Sequence, residues 1–117
     1  MERRSNDRFS IPGAQVIYKL STGETGMTPL VDMAKCSARF STHHFVTLGD
    51  SVNLEILVPE DDNICIRGNV VRLADPHQEK MTGAVVKFLP FGTIDGYNSF
   101  RVYDQLSRLV RQYIEQH

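Results

Sequence analysis

From Ser51 to Val58 the sequence alternates, with Val52, Leu54, Ile56 and Val58 on one parity and Asn53 and Glu55 on the other. Successive side chains of a strand point to opposite faces, so this stretch is a half-buried strand and commits the chain to a sheet with one wet side. Ala14–Leu20 repeats the pattern, with Val16, Tyr18 and Leu20 opposing Gln15, Ile17 and Lys19. Met27–Met33, Ala38–Thr42, Ile64–Leu73 and Met81–Leu89 read as further strands. Between them lie the turn-forming stretches Ser21–Gly26, Leu48–Asp50, Pro59–Asn63 and Asp75–Glu79, with Pro90–Gly92 after the last. Pro29 has no N–H for a ladder, which calls for an edge position or a bulge in the second strand. In Ile64–Leu73 the apolar parity changes around Gly68, which reads as a bulge or bend at a barrel corner.

From about Asn98 the period lengthens. Phe100, Tyr103, Leu106, Val110, Tyr113 and Ile114 fall at helical spacing, while Arg101, Asp104, Arg108, Arg111 and Glu115 take the other side. Asn98 or Ser99 is the expected N-cap. Short antiparallel strands are stable once their edges are closed on one another. The expectation is therefore an all-β fold in one domain over 1–117: a six-stranded antiparallel β-barrel over 14–90 and a C-terminal α-helix over 98–116 across an open end or seam.

Composition excludes several function classes. A formal net charge of -1 lacks the basic excess of a general nucleic-acid binder, so no DNA or RNA partner is expected. No apolar run is long enough to span a membrane, and the N-terminus is polar through Ser10, so neither membrane insertion nor a signal peptide is expected. Cys36 and Cys65 lack C-x-x-C spacing, which suits reduced thiols in core or strand positions and a cytoplasmic setting. His43 and His44 would point to opposite faces of a strand, with no further ligand nearby, so no metal site is expected. Glu60, Asp61 and Asp62 lack the spacing of a calcium loop. No nucleophile–base pair or phosphate loop appears, and the histidines have no sequence-evident carboxylate partner beyond Asp75 near His77; no catalytic residue is assigned.

Arg3, Arg4 and Arg8 crowd a leader with no apolar residue between Met1 and Phe9. Such a segment has nothing to bury, so residues 1–10 are expected to form a flexible, arginine-bearing arm. Arg4 and Arg8 are spaced R-x-x-x-R. A guanidinium meets phosphate or a guanine edge bidentately and stacks on flat rings, so two on one arm can clamp an anionic purine ligand. Glu2 and Asp7 neutralise most of this charge, and the leader taken alone reads as a solvated segment.

With the later blocks, the leader resembles the opening of the PilZ domain, the bacterial receptor module for cyclic di-GMP. Glu2–Phe9 is similar to its arginine-rich start. Asp32-Met33-Ala34-Lys35-Cys36-Ser37 stands where that family has D-x-S-x-x-G. Gly49–Ile56, Ile66–Arg72 and Gly83–Phe88 are similar to its later strands. The resemblance spans nearly the whole chain. It implies cyclic di-GMP as ligand, with no other cofactor, and Arg3, Arg4, Arg8, Asp32, Ala34 and Ser37 at the ligand-binding positions. It also implies an unidentified effector protein that reads the closed arm. Ala34 replaces the motif serine and Ser37 the motif glycine. A lost hydroxyl contact costs about 0.5–1.5 kcal/mol, and a left-handed Ser37, if the loop needs one, roughly 1–2 kcal/mol. Weakened binding is therefore expected. The alternative is a nucleotide-free adaptor that acts through protein contacts alone, as in pilus, flagellar or motility systems.

Overall fold

Six strands form in the expected order: β1 (Gln15–Leu20), β2 (Thr25–Ala34), β3 (Ser37–Thr42), β4 (Ser51–Leu57), β5 (Ile64–Leu73) and β6 (Thr82–Phe88). The computed structural model describes residues 7–73 and 82–115. The strands close in the order β1-β2-β3-β6-β5-β4, every neighbour antiparallel, so each has two partners. Closure removes the unpaired edges that short strands would otherwise expose. Val16, Ile56 and Val86 are completely shielded, and Tyr18 stacks on Phe40 inside the barrel at 5.6 Å. The alternation in β1 and β4 is thus the barrel's inside and outside.

Two backbone irregularities fall elsewhere than expected. Pro29 is on no edge: it pairs with Gln15, and pairing with β3 begins one residue later at Leu30. Its missing N–H falls where β2 passes from one neighbour to the other. The bulge in β2 lies just beyond, between Leu30 and Asp32. In β5 the register against β6 shifts between Val70 and Arg72, rather than at Gly68. Gly68 has a different role, because a Cβ there would lie 2.4 Å from the Lys87 carbonyl oxygen and 2.6 Å from Val86 Cγ1. It is the residue that lets β6 approach.

The helix α1 spans Phe100–Val110 and runs on as a π turn over Arg111–Glu115. Ser99 is the N-cap, its side chain accepting from the Val102 N–H. Asn98 is instead a buried clamp: Oδ1 accepts from the Arg67 N–H, and Nδ2 donates to the carbonyls of Arg67 and Leu89. The buried stripe is Val102, Leu106, Leu109 and Val110, while Phe100 and Tyr103 are 57% and 38% exposed. The expected stripe gave weight to these two aromatics, but positions i, i+4, i+7 and i+8 from Val102 follow the 3.6-residue turn more closely. Gln105 and Arg108 reach Asn63 and Asp61, which seats α1 beside the β4–β5 connection. Among the described residues no helix is long and apolar enough to cross a membrane.

Candidate functional site

The site begins with Phe9. Its N–H and carbonyl exchange hydrogen bonds with Met33 at 2.8 and 2.9 Å, making an isolated bridge to β2. Its ring is buried and stacks on Tyr113 at 5.9 Å, nearly parallel. The segment expected as a flexible arm is therefore docked at Phe9, because that residue has a large apolar face to bury. Arg8, its neighbour, is delivered beside Asp32.

The β2 bulge decides what Arg8 meets. It breaks the alternation, so Asp32, Met33 and Ala34 are buried in succession, and it sets Asp32 opposite Arg39 of β3. Arg8 Nε donates to Asp32 Oδ1 at 2.7 Å, and Arg39 Nη2 donates to Asp32 Oδ2. One carboxylate thus holds two guanidinium groups. Arg8 Nη1 also donates to Ser37 Oγ at 2.7 Å. Arg8, Arg39 and Arg72 line a cleft of about 310 Å³, with Val71 and Val85 as its apolar walls. Among the described residues, three guanidinium groups against the Asp32 carboxylate leave two positive charges in excess there. A second hollow of about 670 Å³ lies on the helix side of Arg8, lined by Phe9, Pro12, Tyr113 and Ile114 among others.

Of the residues singled out in the sequence, Arg8, Asp32 and Ser37 come together here. Ala34 pairs with Ser37 at the hairpin end and is buried outside the cleft lining. Arg3 and Arg4 lie outside the described residues, as do Asp75 and His77. Ser37 begins β3 in an extended strand; among the described non-glycine residues only Glu60, at φ 62°, is left-handed. The expected strain at Ser37 therefore does not arise, since the hairpin turns without a left-handed residue. Arg39 was not singled out, although the alternation of β3 puts it on the polar face. The bulge before Arg72 brings that side chain to the same cleft. Lys35 turns away, with Nζ 4.4 Å from the centre of the Tyr103 ring. Through a hydrogen bond first, and its charge second, Lys35 holds the Tyr103 phenol below its usual value.

The histidine pair is not in a strand. Both residues follow β3, His43 is exposed, and His44 Nδ1 lies 2.7 Å from the buried Tyr18 hydroxyl. His44 Nε2 is 3.7 Å from the Glu24 carboxylate, a partner that folding supplies from the β1–β2 turn. Cys36 and Cys65 are free and exposed, not core residues. No cluster of three His, Cys, Asp or Glu side chains suited to a metal occurs among the described residues.

The same closed barrel, with a comparable path of the chain, occurs in the PilZ domain of YcgR from Escherichia coli, a structure solved with c-di-GMP. The two share a TM-score of 0.70 over 94% of this chain and 90% of that one, at 14% identity. The fold is that of a PilZ domain. The Klebsiella pneumoniae MrkH–c-di-GMP complex matches at TM-score 0.68 and 13% identity, over 90% of this chain and 48% of MrkH. The PilZ domain of CeSA from a cellulose-synthesizing bacterium matches at 0.61 and 15% identity, over 95% and 99% of the two chains. This chain thus spans about half the length of MrkH and nearly all of the isolated PilZ domains. No protein-family model matches the sequence, and no curated protein matches it. At these identities the likeness is one of fold.

Proposed function

We propose that this PilZ-fold protein is a cyclic di-GMP receptor that acts on an effector protein, with no chemistry of its own. The observation that carries the reading is Arg8, held between Asp32 and Ser37 at the edge of a cleft it shares with Arg39 and Arg72. Cyclic di-GMP is a dianion with two guanines, and the excess of two positive charges among the described residues at the cleft complements it. Arg8 and Arg4 supply the paired forks, with Arg3 adjacent; Asp32 accepts from a guanine edge; Arg39 and Arg72 neutralise phosphate. Ala34 offers no hydroxyl, so the Arg8–Asp32–Ser37 group carries the barrel side of recognition. Solved c-di-GMP complexes of YcgR and MrkH with this fold support the ligand class. Ordering the arm over the ligand changes the surface beside α1, where Phe9 already packs on Tyr113, and an effector reads that change.

Isothermal titration of cyclic di-GMP into the protein, with Arg8→Ala as control, tests the reading. Binding in the micromolar range or tighter that is lost in Arg8→Ala is the expected result. No heat from either folded protein overturns the receptor and leaves the nucleotide-free adaptor.

A further inference from the structure

We propose that Ser37 is a positioning residue that holds the Arg8 guanidinium at the cleft before any ligand arrives. The inference rests on the receptor reading for its consequence, but not for its geometry. The Ser37 hydroxyl accepts from Arg8 Nη1 at 2.7 Å, while Asp32 takes Nε at 2.7 Å. Ser37 is buried and extended at the start of β3, so its oxygen is carried by a fixed backbone. Two contacts at right positions on a planar group fix its orientation as well as its place; one contact leaves it free to swing. The pattern that this sequence resembles has glycine here, which has no oxygen to offer.

The pairing aims Arg8 at the cleft without using it up. A guanidinium has five N–H donors, and Asp32 and Ser37 take one each. The remainder of Nη1 and both protons of Nη2 stay available to a phosphate or a guanine edge. Arginine loses much rotamer freedom when it is ordered, and here part of that loss is met on folding, before ligand binds. The consequence reverses the expectation drawn from the motif. Ser37 stands in for the glycine as a gain in preorganisation, and restoring glycine weakens the site.

Two measurements test this. The first needs no ligand: the Arg8 Nε–H resonance, assigned by its disappearance in Arg8→Lys, is followed by nitrogen–proton NMR. It is expected to be sharp and slowly exchanging in the wild type and in Ser37→Thr, and broadened in Ser37→Gly and Ser37→Ala. The second is the cyclic di-GMP affinity, expected to fall about 3- to 10-fold in Ser37→Gly and Ser37→Ala and to return in Ser37→Thr. An Arg8 signal indifferent to Ser37→Gly overturns the positioning role, whatever the affinity does. A responsive signal with equal or tighter binding in Ser37→Gly overturns the gain in preorganisation. A responsive signal in a wild type that binds no cyclic di-GMP upholds the positioning role and overturns the receptor reading instead.

Discussion

Arg8 and Phe9 are adjacent in sequence and have opposite jobs, and replacing each by alanine separates them. The Phe9 ring is 7% exposed, within the common core and stacked on Tyr113. Burying a phenylalanine contributes about 1.5–3 kcal/mol, and a favourable aromatic pair adds about 0.5–1.5 kcal/mol. Phe9→Ala should therefore cost about 2–4 kcal/mol. Arg8 is about one-third exposed and its ion pair with Asp32 is screened accordingly. Asp32 keeps Arg39 when Arg8 is removed. Arg8→Ala should cost about 1 kcal/mol or less. Urea unfolding followed by circular dichroism reads both, as a shift in midpoint at constant slope. Ligand binding should show the reverse order at the level of direct contact, with Arg8→Ala losing it in a stable protein. A loss below 1 kcal/mol in Phe9→Ala, or a larger loss in Arg8→Ala than in Phe9→Ala, would refute the assignment of anchor and ligand group.

Asn98→Ala deprives the Arg67 N–H and the Leu89 carbonyl of the partners described above, while Leu89 N–H still serves the Arg67 carbonyl. At about 1–3 kcal/mol per orphaned group, partly relieved by water, urea unfolding should report a loss of about 2–4 kcal/mol. Gly68→Ala drives a Cβ against the β6 backbone and should cost at least about 2 kcal/mol by the same assay; a neutral result would mean that β5 and β6 separate freely. Lys35→Ala should shift the Tyr103 phenol upward, seen as a later rise in tyrosinate absorbance on alkaline titration. The Asp50 carboxyl lies below the usual 3.8 because it accepts from the Thr47 N–H and hydroxyl. Its support of that turn is therefore complete above the usual value and lost as pH falls through the lower folded one, so Asp50→Asn should flatten the acid limb of the stability curve.

Much of this protein is written in local pattern. Alternation in β1 and β4, turn residues between strands and a change of period near Asn98 state the elements, because burial on one face imposes its period directly on neighbouring residues. Short strands with no spare partner also make closure the natural outcome. Arg8 and Asp32 were legible as candidates from residue type and from a resemblance that spans nearly the whole chain.

What the tertiary structure alone decided is where the periods break and who meets across them. The bulge in β2 turns Asp32 inward toward Arg8 and Arg39, and the bulge in β5 brings Arg72 to the same cleft. Neither position follows from a local count, since a bulge relieves the geometry of closing a barrel, a property of all six strands together. The docking of Phe9 on Met33 and Tyr113, the His44–Tyr18 contact and the hold of Asn98 on Arg67 depend in the same way on partners more than twenty residues distant. Ser37 shows the division most plainly. In the sequence it is a departure from a glycine; in the fold it is an extended strand residue whose hydroxyl meets an arginine from the N-terminal segment.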